Sequence, residues 1–94
     1  MKLLGLYYAN DDKHKYIAEF ETENGLKHIR FGAFGYESYI DHKNAQRKKA
    51  YLVRHESREN WDDPLTPGAL SRWLLWNKPT LKASITDFRK RFNV

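Results

Sequence analysis

The segment from residue 60 to residue 81 constrains the fold most, because it holds all three tryptophans and all three prolines of this 94-residue sequence. Thr66 is a residue type that caps helices, and Pro67 suits the first helical position, where the missing N–H needs no partner. A helix is therefore predicted to begin at Pro67. It is predicted to end before Pro79, since a proline disfavours helical geometry in the residue preceding it.

Two apolar stripes indicate how this segment packs. Leu70, Trp73 and Leu74 recur at spacings of three and four residues, which predicts one helix side facing a core. A further helix is predicted from a cap at Thr80, or one turn later from Ser84. Its stripe continues the helical spacing and consists of Leu81, Ile85, Phe88 and Phe92.

The N-terminal third has the pattern of an antiparallel sheet. Residues 2–9 alternate, with Leu4, Leu6 and Tyr8 predicted on one face. A second strand is predicted over residues 14–22, and Asn24-Gly25 favours a tight hairpin turn to a third strand. With Asn24 and Gly25 at the tip, the expected pairs are Phe20 with Ile29, Ala18 with Phe31, Tyr16 with Ala33, Glu21 with His28 and Glu19 with Arg30.

Length and composition set the class of protein. The 94 residues suit one domain, residues 1–94, with a core that needs neither metal nor disulfide. The absence of cysteine excludes disulfides, a thiolate nucleophile and a cysteine–zinc site. No apolar run is long enough for a membrane span and no signal peptide is evident, so a soluble, non-secreted protein is expected. The net charge of +5 fits either an anionic partner, above all nucleic acid, or a contribution to solubility alone, and only the distribution of the charges decides between them.

A basic helix carries the main functional prediction. Asp41 is a plausible cap for a helix from His42 to Ser57, docked through a thin apolar seam of Ala45, Leu52 and Val53. Four cations fall within about 60° on its helical wheel, which places them outward along one edge. No acid lies four residues from the cations near its centre, so they lack helical salt-bridge partners. The predicted phosphate-contacting residues are Lys43, Arg47, Lys48, Arg54 and Arg58, supported by Arg89 and Arg91 from the C-terminal helix.

Other functional patterns remain alternatives. The segment 32–39 is rich in glycine and aromatic residues, which fits a bend from sheet to helix better than a binding loop. Glu59, Asp62 and Asp63 have the ligand chemistry for a hard cation, but the calcium-loop pattern is absent and a turn with capping acids accounts for them better. No catalytic motif is present, so no catalytic residue, metal site or cofactor is predicted. A metal-dependent nuclease built from His42, His55 and Glu59 is the enzymatic alternative.

Several runs resemble a small protein family. They include Arg54-His55, Glu59-Asn60-Trp61, Thr66-Pro67-Gly68 and the run from Leu70 to Leu81, with further matches at Phe31-Gly32, Asp41-His42-Lys43, Asp87 and Arg91-Phe92. Residues 28–92 in this way resemble an uncharacterised family from large double-stranded DNA viruses of algae and amoebae. The resemblance implies a viral source, and hence a host-cytoplasm, virus-factory or virion setting. It implies no activity.

The sequence therefore predicts an α+β fold, in which a three-stranded antiparallel meander (residues 1–35) precedes three α-helices (residues 41–92) packed on one sheet face. The predicted function is non-specific, non-catalytic binding of nucleic acid through the phosphate backbone, with genome packaging as a possible role. The alternative is a minor structural protein of the virion that binds other virion proteins. No membrane partner is expected.

Overall fold

A computed structural model describes all residues of the chain, 1–94. Three strands, β1 (Lys2–Tyr8), β2 (His14–Thr22) and β3 (Gly25–Ala33), form an antiparallel sheet in the order β1-β2-β3. The helices are α1 (Tyr39–His42), α2 (Ala45–His55), α3 (Pro67–Leu70) and α4 (Leu81–Phe92). The chain from Ser71 to Leu75 continues α3 as one π-helical turn. The predicted α+β class and three-stranded meander are confirmed.

The β2–β3 hairpin has a different register from the predicted one. Thr22 pairs with Gly25, so Glu23 and Asn24 form the turn and Ala18 pairs with Ile29. Gly25, the first residue of β3, has a positive φ of 103°, and neither Glu23 nor Asn24 does. The predicted turn required two residues with positive φ. The Thr22 hydroxyl donates to the carbonyl oxygen of Gly25 at 2.9 Å and accepts from the backbone N–H of Asn24 at 3.2 Å, which fixes this turn.

The register shift of two residues preserves the faces of the sheet and changes the partners. Because side chains alternate with a period of two, the predicted apolar face is unchanged. On the other face, Glu19 contacts His28, with 2.7 Å between Oε2 and Nε2, rather than Arg30. Arg30 instead forms an ion pair with Asp11 at 3.1 Å.

A bulge in β1 changes which residues share a face of that strand, compared with the prediction. Leu3 pairs with Phe20 and Gly5 with Glu19, so Leu4 is the extra residue. An extra residue reverses the alternation on one side of the bulge. Leu3 is therefore buried with Phe20, at 2 % exposure, and Leu4 is 39 % exposed. The prediction that Leu4 shares a face with Leu6 and Tyr8 is wrong for this reason.

The hydrophobic core joins the sheet to the C-terminal half of the chain. Phe88 of α4 is fully buried, and its ring centroid lies 6.4 Å from that of Phe20 in β2. The nine buried residues of this core are Leu3, Ala18, Phe20, Ile29, Phe31, Leu70, Leu74, Leu75 and Phe88. α2 contributes none of them, so the packing of all three predicted helices on one sheet face stays a prediction.

The predicted helix from His42 to Ser57 is divided in two. α1 is capped by Ser38, with Asp41 at its third position rather than at the cap, and it ends where Lys43 adopts a left-handed conformation with φ of 55°. α2 then begins after Asn44, whose side chain accepts from the backbone N–H groups of Gln46 and Arg47. A second N-cap is the physical reason for the break, since such a residue takes a non-helical conformation.

The two C-terminal helices begin where the sequence predicts. Thr66 caps α3, with its hydroxyl 3.2 Å from the backbone nitrogen of Ala69, and Pro67 occupies the first helical position. Thr80 caps α4 in the same way, bonding the backbone N–H of Ala83 at 3.2 Å. Ser84 does not cap that helix. It is buried, and its hydroxyl accepts from the backbone N–H of Lys78 at 3.0 Å.

The β1–β2 turn is organised by the carboxylate of Asp11. One of its oxygens accepts from the backbone N–H groups of Lys13 at 2.9 Å and His14 at 2.7 Å. The other contacts Nδ1 of His14 at 3.2 Å and Arg30 at 3.1 Å. The two backbone donors, first that of Lys13, lower the pKa of Asp11 from 3.8 to about 2.

This depressed pKa predicts an acid-sensitive component of stability. A carboxylate whose pKa is lower in the folded state stabilises the fold above its unfolded pKa of 3.8 and loses that effect as pH falls towards 2. The variant Asp11→Asn is expected to show a smaller loss of unfolding free energy over this interval than the unmodified chain. Urea titrations at successive pH values measure it, with Asp12→Asn at the exposed neighbouring position as control. Equal pH profiles for Asp11→Asn and the unmodified chain would contradict this role of Asp11.

Candidate functional site

A cleft of about 680 Å³ lies between α2, the β2–β3 end of the sheet and the α3–π-helix segment. We call it the basic cleft, since four lysine and arginine side chains line it against two carboxylates. The cations are Lys13, Lys15, Arg47 and Arg54, and the carboxylates are Glu37 and Glu59. Its volume is within the range of small-ligand sites, and its lining carries a net positive charge.

The docking of α2 determines which cations face this cleft. Tyr51 is the buried residue of α2, at 7 % exposure, and its ring stacks on Trp76 with 4.2 Å between centroids and an angle of 3°. Arg47 and Arg54 lie four residues before and three residues after Tyr51, so they share its side of the helix. Docking through Tyr51 therefore turns both arginines towards the cleft, whereas an outward orientation was predicted.

The predicted apolar seam of α2 is wrong. Val53 is 69 % exposed, Ala45 is exposed and Leu52 is only half-buried. An aromatic ring that can stack on a tryptophan buries more surface than these smaller residues, which is why Tyr51 forms the contact. Trp76 is half-buried in this stack.

The cleft cations differ in their carboxylate partners. Arg47 lies 3.5 Å from Glu37, and both side chains are more than half exposed, so this ion pair is weak. Lys15 lies 3.2 Å from Asp41. Burial alone would raise the pKa of Asp41, but hydrogen bonds from Ser38 and Lys15 hold that pKa below its ordinary value. Arg54 and Lys13 are exposed and form no ion pair, so they are the cleft cations most available to a bound anion.

A hydrogen-bonded group lies on the wall of the cleft formed by α2 and the following turn. Glu59 contacts Nδ1 of His55 at 3.1 Å and accepts from the indole N–H of Trp61 at 2.9 Å. The His55 ring stacks on Tyr51, with 4.1 Å between centroids. Gly68 permits this approach, because a Cβ there would lie 2.8 Å from Cδ of Glu59. Burial, followed by the charge of Glu59, raises the pKa of the Tyr51 hydroxyl, which keeps it neutral.

This arrangement orients His55 as a polar group of the cleft. When neutral His55 donates from Nδ1 to Glu59, its Nε2 is left as an acceptor. His42, the other histidine of the nuclease hypothesis, is not part of the group. Its Nδ1 accepts from the backbone N–H of Asn44 at 2.9 Å, and its ring packs 5.3 Å from that of Trp76. No three histidine, aspartate or glutamate side chains are grouped as metal ligands would be.

Three predicted contact residues lie apart from Arg47 and Arg54. Lys43 belongs to the break between α1 and α2, where its ammonium donates to the carbonyl of Ile40 at 2.8 Å. Arg58 lies beyond the end of α2 and is exposed. Lys48 is on α2, but its ammonium donates to the carbonyl of Asn77 at 2.6 Å and lies over the ring of Tyr39. The predicted single helical edge is therefore wrong, because α2 is shorter than predicted.

Lys48 is also half-buried, which changes its electrostatics. Burial, and then the charges of Arg72 and Lys78, lower the pKa of its ammonium. An ammonium bonded to a backbone carbonyl between two segments acts as a tether from α2 to the α3–α4 connection. Its main contact is thus structural.

The two C-terminal arginines stabilise the fold near α4. Arg89 is half-buried and donates to the carbonyl of Leu3 at 3.0 Å, so its guanidinium links α4 to β1. The guanidinium of Arg91 lies 3.7 Å from the ring centroid of Trp73 and 3.4 Å from Asp87. Neither arginine lines the basic cleft. Whether any of the seven predicted residues binds nucleic acid stays a prediction.

The sequence reasoning missed the contribution of the sheet to this site. Lys13 precedes β2 and Lys15 lies within it, and both line the cleft together with Tyr36 from the loop after β3. No sequence signal marked Lys13 or Lys15, and the glycine-rich aromatic segment 32–39, which contains Tyr36, was interpreted as a bend in preference to a binding loop. Its side chains Phe34 and Tyr36 are 57 % and 73 % exposed, as a binding loop would require.

Residues 5–55 match a family of unknown function (DUF5754). The chain belongs to this family. The matched residues span more than half of the chain, and they include the second half of β1, all of β2 and β3, α2 and the four cations of the basic cleft. No curated protein and no solved structure matches the chain. Membership of an uncharacterised family is confirmed, and the viral source stays a prediction. None of the helices has the length and apolar character needed to cross a membrane.

Proposed function

We propose that this DUF5754 protein binds nucleic acid through its phosphate backbone, without reading base sequence. One observation carries the proposal: Arg47 and Arg54 of α2 line the same cleft as Lys13 and Lys15 from the sheet, and these cations outnumber the carboxylates there. Cations that converge from separate elements are better explained by contact with a line of phosphates than by the alternative of a solvated helix face. The net charge of +5 acts in the same direction over longer range.

The electrostatics of the individual cations support this proposal. Arg54 has no ion pair, and the Arg47–Glu37 pair, 3.5 Å apart and solvent-exposed, can open when a phosphate replaces Glu37. Arginine guanidinium groups also bond phosphate oxygens in a bidentate manner. The cleft therefore offers phosphates at least two cations that the fold itself does not require.

The proposal is tested by charge reversal in the cleft. Arg47→Glu combined with Arg54→Glu is expected to weaken binding to labelled single-stranded and duplex oligonucleotides by about 10- to 100-fold at low salt, equally on every sequence. For about four neutralised phosphates, the slope of log K against log salt on duplex is near −3.6, and the double variant reduces its magnitude by about 1.8. Fluorescence anisotropy across a salt series measures both quantities.

The matched control reverses two exposed lysines outside the cleft, Lys27→Glu and Lys82→Glu, which lowers the net charge equally. This control should bind more tightly than the cleft variant. Equal losses of affinity in both variants would show that overall charge alone causes the effect. A loss of affinity for one base sequence alone would contradict contact through the phosphate backbone. Absence of binding to any oligonucleotide at low salt would end the proposal.

We further propose a viral source, which the resemblance to proteins of large DNA viruses supports, with the protein acting in genome packaging in the virus factory or the virion. A structural role through binding to virion proteins is the competing role. Sedimentation with and without DNA, together with capture from disrupted virions before and after nuclease treatment, distinguishes the two. Capture that survives nuclease would favour the structural role.

A further inference from the structure

An exposed aromatic surface adjoins the basic cleft. Tyr8, Phe34 and Tyr36 are 84 %, 57 % and 73 % exposed, and all three line a second cavity of about 400 Å³. This cavity shares Lys15 and Tyr36 with the basic cleft, so the two are adjacent. We call these three side chains the aromatic platform.

The platform is held in place by the sheet. The backbone N–H of Phe34 donates to the carbonyl of Lys13 at 3.0 Å, and that of Tyr36 donates to Ala33 at 3.3 Å. Gly35 between them has a φ of 84°, which lets the chain reverse within two residues. Both aromatic side chains therefore extend into solvent from an anchored turn, and neither side chain is needed to complete the core.

Tyr8 is supported by a column of rings that begins in the core. Its ring stacks on Tyr16, with 5.5 Å between centroids, and Tyr16 stacks on the buried Phe31 at 5.8 Å. The outer face of Tyr8 ends this column in solvent, at 84 % exposure. A further planar group can continue the stack there at little conformational cost, because the rings beneath are already ordered.

From this geometry we infer that the nucleic acid bound by the cleft is single-stranded, with its bases stacked on Tyr8, Phe34 and Tyr36 while its phosphates lie against Arg47 and Arg54. The inference rests on the proposed function and specifies the ligand of the same site. Cations beside exposed aromatic rings form the combination that binds single strands, since every unpaired base has a face available for stacking. A duplex keeps its base faces inside its own stack and presents none to the platform.

Charge selects this occupant over another protein surface. Lys15, Glu37 and Asp41 are the charged residues of the cavity lined by the rings, and Lys13, Arg47 and Arg54 line the adjoining basic cleft. An occupant that covers the rings and extends into the cleft therefore meets the cations on the cleft side. A single nucleic-acid strand supplies both the planar apolar groups and the anions that this surface requires.

The experiment separates stacking from charge by using strands with and without bases. An oligothymidylate and an abasic strand of equal length carry the same phosphates. The unmodified protein is expected to bind the oligothymidylate more tightly, by about 5- to 150-fold for each stacked base. The two salt slopes should be equal, because they count phosphates. Tyr8→Ala with Phe34→Ala, two platform residues outside the basic cleft, should lower the affinity for the oligothymidylate by about 5- to 150-fold for each stack lost and leave the affinities for the abasic strand and the duplex unchanged.

Conservative variants and a fold control complete the design. Phe34→Leu keeps an apolar side chain without a ring and should also lose affinity, whereas Phe34→Trp should restore it. Thermal unfolding by circular dichroism should be unchanged in all of these variants, because the side chain is exposed.

The outcomes distinguish this inference from the proposed function. If the oligothymidylate and the abasic strand bind equally, the inference of a stacked single strand is overturned and phosphate binding survives. The same holds if the aromatic variants leave oligothymidylate binding intact while the Arg47 and Arg54 reversal abolishes it. If neither strand binds, or the arginine reversal has no effect, the proposed function itself fails. Self-association that disappears in Tyr8→Ala with Phe34→Ala would assign the platform to a second copy of the chain and also overturn the inference.

Discussion

Replacing Phe88 with alanine is expected to lower the free energy of unfolding by about 3–5 kcal/mol. Phe88 is fully buried, 6.4 Å from Phe20 of the sheet and 5.0 Å from Phe92 of its own helix, measured between ring centroids. Its removal leaves a cavity where α4 meets the sheet, and close-packed neighbours collapse into such a space only partly. Urea denaturation followed by circular dichroism measures the change.

Phe34→Ala supplies the matched control for this prediction. The same atoms are removed, but the Phe34 side chain is 57 % exposed, so a change within about 0.5 kcal/mol is expected. A loss below about 1 kcal/mol for Phe88→Ala would show that α4 does not seal this core. A large loss for Phe34→Ala would show that the platform is part of the core instead.

The elements that the sequence predicted correctly are those specified by local chemistry. Thr66 and Thr80 cap helices because a side-chain hydroxyl meets a backbone N–H three residues on, and this requires no distant partner. The stripe containing Phe88 is likewise visible from spacing alone. The strand from His14 to Thr22 was predicted with the bounds that the structure has.

The predictions were wrong where two local signals compete, or where a residue distant in the sequence determines the local structure. Asn24-Gly25 fits a turn with both residues at the tip, but Glu23-Asn24 with a single positive φ at Gly25 fits as well, and the side chain of Thr22 favours the latter. The bulge at Leu4 depends on burying Leu3 beside Phe20, a residue seventeen positions away. Neither choice is visible in the periodicity of one strand.

The candidate site was predicted only in part, for the same reason. A helical wheel correctly grouped Arg47 with Arg54 but could not show what α2 docks against. Once Tyr51 stacks on Trp76, the side chosen as outward becomes the wall of a cleft. Lys13 and Lys15 join this cleft through the fold of the sheet, from more than thirty positions earlier in the chain than Arg47. Proximity of this kind is a tertiary property.

Gly32→Ala is expected to lower the free energy of unfolding by about 2–4 kcal/mol, from two additive causes. Gly32 has a φ of 78°, a conformation that disfavours any side chain. A Cβ there would also lie 2.9 Å from Cδ1 of Leu75 and 3.2 Å from Cβ of Lys15. Leu75 is a buried core residue and cannot move freely, so β3 must shift away from the π-helical turn. Urea denaturation monitored by tryptophan fluorescence measures the loss.

Gly25→Ala isolates the backbone cause, because Gly25 has a φ of 103° and nothing lies within 4 Å of a Cβ placed there. That variant should lose only about 1–2 kcal/mol. The difference between the two variants then measures the steric strain between the new Cβ and the side chains of Leu75 and Lys15. Since Gly32 and Leu75 both line the basic cleft, Gly32→Ala should also weaken nucleic-acid binding under conditions where the variant is still folded, while Gly25→Ala should not. Equal losses of stability in the two variants would mean that Leu75 yields without strain and that this wall of the cleft is loosely packed.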